Sequence, residues 1–195
     1  MRLVLGLGNP GSRYERTRHN VGFEVLDRLV TRWRATASET TPEFRSWRAA
    51  RDPQELVLVA PQTYMNRSGE ALEAWRSGHD LEIADLLVVS DDVYLPIGVV
   101  RLRTEGSSGG HQGLESIEAA LQSRDYARLR VGVGGVEDSG QLPEHVLEAF
   151  AEDEMDAVSQ AVETAADAVE VWALEGPVAA MNRFNRRIPK EVHEE

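Results

Sequence analysis

The chain has 195 residues, a formal charge of −12, no cysteine and 42% apolar residues. That length suits one domain with a full core and is short for two. The lack of cysteine excludes disulfides and thiolate chemistry and fits a cytoplasmic setting. No run of about 18 apolar residues and no charged-then-apolar leader is readable, so neither a membrane span nor a secretory signal is expected. The negative charge disfavours generic nucleic-acid binding, although local clusters can outweigh an averaged field. Of the 21 basic residues only Lys190 is a lysine, a bias that genome composition or salt adaptation explains and that is no argument for RNA.

In chain order, the apolar run at 3–7 predicts a strand, and "GLGNPGSRYERTRHN" (6–20) follows it. The first six letters match G-x-G-x-x-G, the spacing of a dinucleotide pyrophosphate loop. Such a loop needs a helix directly behind it and an acid about 20 positions on for the ribose. Residues 12–18 have no apolar residues at helical spacing. The amphipathic pattern begins with Val21, Val25, Leu26, Leu29, Val30 and Trp33, so a helix over 21–34 is predicted, with Asn20 as its N-cap. Glu24 and Asp27 fall inside that helix and not at a second strand's end, which disfavours the dinucleotide reading.

Further strands are predicted at 44–50, 56–60, 86–90, 99–103 and 129–133. Helices are predicted at 68–77, 113–123 and 154–174. In the last of these Met155, Val158, Val162, Ala165, Val169 and Trp172 trace one core-facing stripe. Gly176-Pro177 then ends that helix and starts a short one carrying Val178, Met181 and Phe184. The order predicts an α/β fold: one three-layer domain over 1–188, with a mixed, mostly parallel twisted sheet flanked by helices, and a frayed tail at 189–195. Loops 8–20, 60–69, 90–95 and 104–113 are predicted to converge outside the carboxyl ends of the strands.

Those loops hold the candidate chemistry. His79, His145 and His193 read as solvated surface residues, whereas His19 and His111 each precede a helix. The positive end of a helix dipole disfavours imidazolium, which makes His19 a candidate general base beside the reading of a purely structural histidine. Such a base needs its second ring nitrogen anchored, and Asp91 and Asp92 stand where an apolar strand runs out. No second Asp, Glu or His cluster at metal spacing accompanies them, so no metal is expected. Asn9, Asn20, Asn66 and Gln112 add amides that both donate and accept. One base, one carboxylate and several amides, with no serine elbow and no cysteine, point to direct attack by water.

Together "GLGNPGSRYERTRHNVGF", "PQTYMNRSG", "VSDDVYLP", "GSSGGHQGL" and "YARLRVGVG" resemble the bacterial peptidyl-tRNA hydrolase family over nearly the whole chain. The resemblance implies a cytoplasmic, usually monomeric enzyme without metal or cofactor and without an obligate protein partner. Its partner is peptidyl-tRNA, bound through the acceptor stem, the 3′ CCA end and the peptide, whose ester to the terminal ribose it cleaves to recycle tRNA from stalled ribosomes. By motif, His19 is the base and Asp91 its anchor. Asn9 and Asn66 hold substrate and water, and Tyr14 and Met65 line the peptide or terminal-nucleotide site.

Two departures from the family pattern are visible. Gln112 stands where the family has Asn in "GGHNGL". The stretch 136–145 carries Glu137, Asp138 and Glu144 where a basic residue helps hold tRNA. The remaining phosphate candidates are Arg101, Arg103 and Arg130, with Arg128 on the same strand face as Arg130, and more weakly Arg183, Arg186 and Arg187. The rival readings are a non-catalytic RNA-binding relative, a nucleotide-dependent oxidoreductase and a generic esterase. They lack support, in turn, because base and carboxylate are both filled, because the ribose acid is missing, and because there is no G-x-S-x-G elbow.

Overall fold

The structure is a computed structural model that describes residues 1–52, 54–135 and 139–185. Its strands are β1 (Arg2–Gly6), β2 (Thr36–Thr40), β3 (Phe44–Arg51), β4 (Gln54–Pro61), β5 (Leu86–Asp92), β6 (Val100–Arg103) and β7 (Ala127–Gly132). Its helices are α1 (Val21–Trp33), α2 (Ser68–Arg76), α3 (Gln112–Leu121), α4 (Leu142–His145), α5 (Met155–Glu175) and α6 (Pro177–Phe184). The strands form one sheet in the order β2-β3-β4-β1-β5-β7-β6. β4, β1, β5 and β7 run parallel at its centre, and the pairings β2/β3, β3/β4 and β6/β7 are antiparallel.

β1, β4 and β5 carry unbroken apolar runs, at 3–5, 56–60 and 86–89, because helices cover both faces. Alternate residues feed two cores. Val4, Leu56, Leu58, Leu87 and Val89 pack with α1 and α5 around Trp172. Leu3, Leu5, Val57, Val59, Leu86 and Val88 pack with α2 and α3 around Trp75. Three layers result, as the element order predicts. Among the described residues no helix is long and apolar enough to cross a membrane.

Three elements depart from the sequence expectation, the first being α4, a single turn at Leu142–His145 where no helix is predicted. β2 has no apolar alternation to announce it and is mostly exposed. Met155 opens α5 with 39% of its surface exposed, and the buried stripe runs instead through Val158, Val162, Ala165, Val169 and Trp172. The predicted tail at 189–195, with His193, lies outside the described residues, as do Glu137, Asp138, Arg186 and Arg187.

The opening glycines serve packing. A Cβ on Gly6 would stand 2.5 Å from Gly22 O, and one on Gly22 would stand 2.4 Å from Leu7 O. α1 is thus drawn against β1, and the chain between them must loop outward. That loop runs into a short 3-10 turn (Ser12–Tyr14), then a second one (Arg18–Asn20). No helix follows the glycines directly, so the pyrophosphate geometry is absent here.

Candidate active site

Because β4, β1, β5 and β7 are parallel, the loops after them leave the same edge of the sheet. They line a cavity of about 500 Å³ that takes in Asn9, Tyr14, His19, Met65, Asn66 and Asp91, with Gln112 and Arg130 at other points of its wall. All four predicted loops contribute. The 104–113 loop does so by an indirect route, since β6 is antiparallel to β7 and its last residue, Arg103, pairs with Arg128 near the start of β7. The chain returns across the sheet face, where Arg128 Nη1 donates to Ser107 O at 3.1 Å, and brings His111 to the cavity.

His19 is buried in the 3-10 turn ahead of α1, and its Nδ1 lies 2.8 Å from Asp91 Oδ1. Asp91 sits at the end of β5 and is itself buried. The carboxylate anchors Nδ1–H, which leaves His19 Nε2 as the basic nitrogen on the cavity. Burial alone would raise the Asp91 carboxyl, but His111 and His19 outweigh it and hold the group well below the usual carboxylate range.

The amide of Asn9 is oriented by its contacts. Its Oδ1 accepts the backbone N–H of Met65 at 2.8 Å, so its Nδ2 keeps two N–H donors for the cavity. Asn20 takes the predicted N-cap position but makes no capping bond. Its side chain pairs with both backbone polar groups of Asn9 instead, accepting from N at 2.8 Å and donating to O at 3.0 Å. Asn66 and Gln112 are exposed on the wall, and Tyr14 meets Tyr64 edge-on with ring centroids 6.4 Å apart.

Asp92 is buried beside Asp91 and lines the same cavity, but the carboxylate that contacts His19 is that of Asp91. Asp92 Oδ2 pairs with Arg130 Nε at 2.9 Å and its Oδ1 accepts the Tyr94 N–H at 2.9 Å. Arg128, placed by the sequence beside Arg130 as a phosphate candidate, is fully buried. It pairs with Glu118 Oε1 at 3.2 Å and stacks 4.1 Å over Tyr126, which makes it a structural residue. Arg101 pairs in register with Arg130, and Arg103 is exposed at the end of β6; neither lines the cavity. Arg183 is held by Glu175 at 2.7 Å. His79 and His145 are not the solvated residues expected. His79 stacks on Trp75 at 4.2 Å, and His145 Nε2 approaches Gly134 O at 3.1 Å.

Several contributors carry no sequence signal. Buried Arg18 donates to Val133 O at 2.9 Å and pairs with Glu154 at 2.7 Å, with its guanidinium 4.7 Å over Phe150. The backbone N–H groups of Arg18 and His19 are taken by Glu148 O at 3.0 Å and Val146 O at 2.8 Å. His19 is therefore clamped by a segment more than 120 residues away in sequence, whose Leu142, Pro143, Val146 and Leu147 wall the cavity.

The tertiary fold also gathers a cluster that sequence spacing hides. One ligand atom each from His19, Asp91 and His111 lies within 4.8 Å of the others, a spacing open to a metal ion. The hydrogen bonds argue for another use. His111 Nδ1 accepts from Gly113 N at 3.1 Å and Leu114 N at 3.3 Å. The neutral ring then carries its proton on Nε2, where a metal would need a lone pair.

A buried imidazole–carboxylate pair and several amides line one cavity at the carboxyl edge of an α/β sheet, the edge at which enzymes of this class bind their ligands. The family is specific: the chain belongs to the peptidyl-tRNA hydrolases, whose family model matches residues 3–193. The peptidyl-tRNA hydrolase of Salinibacter ruber is 44% identical over 183 residues, covering 94% of this chain and 97% of that one. That of Desulforamulus reducens is 41% identical over 187 residues, covering 96% and 90%. The crystal structure of peptidyl-tRNA hydrolase from Acinetobacter baumannii matches with a TM-score of 0.88 at 32% identity, covering 97% of this chain and 96% of that one.

Proposed function

We propose that this protein hydrolyses the ester between a peptide, or an N-blocked amino acid, and the 3′-terminal ribose of tRNA, with His19 activating the water. The observation that carries the reading is the 2.8 Å contact of His19 Nδ1 with buried Asp91, which turns Nε2 toward a cavity walled by amides. Nε2 takes a proton from water as the water oxygen bonds to the ester carbonyl carbon. The N–H groups of Asn9 Nδ2 and of Asn66 face the oxygen that gains charge. Collapse of the tetrahedral species breaks the bond to the ribose oxygen, which receives the proton back from His19. An ester's leaving group is good enough for this route to proceed without a nucleophilic side chain.

Tyr14 and Met65 border the peptide or terminal nucleotide, and Gln112 offers an amide from the start of α3. Arg130, with Arg101 and Arg103 beyond it, meets phosphates of the acceptor stem. The enzyme works as a cytoplasmic monomer on peptidyl-tRNA lost from ribosomes. The test is release of the amino acid from an N-acetylated aminoacyl-tRNA in the presence of a chelator. The wild type is expected to turn over, and His19→Ala to lose about 10²–10⁴-fold in kcat with tRNA binding kept. Near-normal release by His19→Ala would sink the mechanism.

A further inference from the structure

The mechanism above uses His19 and Asp91 and gives His111 no task, although both of its ring nitrogens are engaged. Nδ1 caps α3 by accepting the N–H groups of Gly113 and Leu114 at 3.1 and 3.3 Å. Nε2 lies 2.8 Å from Asp91 Oδ1, the oxygen that His19 Nδ1 also reaches at 2.8 Å. A ring nitrogen that accepts two N–H bonds carries no proton, so the Nε2–H tautomer is selected by the backbone at the start of α3. A single carboxylate oxygen then serves two imidazole donors, with the rings 5.0 Å apart. Among the described residues no other side chain bonds to Asp91; the adjacent Asp92 is committed to Arg130 and to the Tyr94 N–H.

We propose that His111 is a positioning residue for the reaction, acting on His19 through Asp91 as an Nε2–H donor held in that tautomer by the first turn of α3. The proposal rests on the reading of His19 as the base. Two effects follow. The second donor fixes the rotation of the Asp91 carboxylate, and with it the direction in which His19 Nε2 points. It also draws charge from Oδ1, so the proton that His19 takes from water stays on His19 and remains available to the ribose oxygen. His111 neither gains nor loses a proton in the cycle. Because the same ring caps α3, the Gly110–Gln112 wall moves with the dyad.

Two substitutions separate the two ends of the ring. His111→Asn keeps an acceptor near the Nδ1 position and so preserves the cap, but is too short to reach Asp91. His111→Gln places an amide N–H near the Nε2 position and restores the donor. With N-acetylated aminoacyl-tRNA, His111→Asn is expected to lose about tenfold or more in kcat with KM nearly unchanged and Tm lowered by a few degrees, since buried Asp91 loses one of its two donors. His111→Gln should recover most of that loss. On the unsubstituted protein, nitrogen-15 NMR of the imidazoles should show His111 protonated at Nε2 and bare at Nδ1. Wild-type kcat in His111→Asn, no advantage of Gln over Asn, or an Nδ1–H signal for His111 would each overturn the proposal. Should the wild type itself release nothing from the substrate, the functional reading fails, while the NMR signal still decides the tautomer.

Discussion

Asn20 holds Asn9 at both backbone polar groups, accepting its N–H at 2.8 Å and donating to its carbonyl at 3.0 Å. The residue next to His19 in sequence thereby fixes the backbone of Asn9, which lines the same cavity as His19. Asn20→Asp keeps the acceptor, strips the donor from a buried carbonyl and sets a negative charge beside His19. It is expected to lower kcat/KM by about 10–100-fold and to destabilise the protein by about 1–3 kcal/mol. Steady-state kinetics and thermal unfolding check the two separately; an unchanged kcat/KM would show that the pairing does not position Asn9.

Arg18 ties the turn that carries His19 to the residue after β7 and to the residue before α5, through Val133 O and Glu154. Its loss in Arg18→Ala leaves a buried carbonyl and a carboxylate without their donor. A destabilisation of about 2–3 kcal/mol is expected, seen as a fall in Tm of about 5–10 °C for a domain of this size. Activity per folded molecule should fall as well, because the same turn carries His19.

Acid and neutral stability are governed by carboxylates of opposite sign. Glu24 has its carboxyl raised by burial, with Asp27 adding to the effect and Arg16 opposing it. The folded protein binds that proton more tightly than the unfolded chain, so ionised Glu24 costs stability above its folded pKa and nothing below its unfolded value. Glu24→Gln should therefore raise Tm at neutral pH, with the gain gone below about pH 4. Asp91 behaves oppositely. Despite its burial its carboxyl is lowered by His111 and His19, so its stabilisation is present above the ordinary carboxylate pKa and is lost as pH falls through the folded value. Asp91→Asn should lower Tm at neutral pH and flatten the acid limb; melting curves across pH read both.

Arg101 and Arg103 have no acidic partner among the described residues and extend from the Arg130 side of the cavity. Each that meets a tRNA phosphate releases a counterion. Arg101→Gln is expected to weaken tRNA binding and to reduce the slope of log K against log salt by about one. Titration of uncharged tRNA at several salt concentrations reads the slope, and an unchanged slope would remove Arg101 from the interface.

The elements legible in the sequence are those whose signal is local. Val21 to Trp33 shows a 3.6-residue period, Leu86 to Val89 an apolar run, and Gly176-Pro177 a stop followed by a start, and each forms the element it announces. β2 was invisible because "TASET" packs against almost nothing on either face and is held by its backbone pairing with β3. The long opening loop was readable as a carrier of Asn9 and His19, since a helix that starts late leaves polar residues to be placed somewhere.

By itself, then, the sequence determined the layers of the fold, the loops that meet at one sheet edge, and the family to which "GNPG" and "TRHN" point. Tertiary structure decided which groups touch. It made Arg128 structural and put Arg130 at the cavity, turned Asn20 from a cap into a brace for Asn9, and set His111 against Asp91 across 20 residues of chain. The reason is physical: periodicity and turn chemistry act over a few residues, whereas a hydrogen bond between buried side chains depends on strand order and helix docking, which no local pattern encodes.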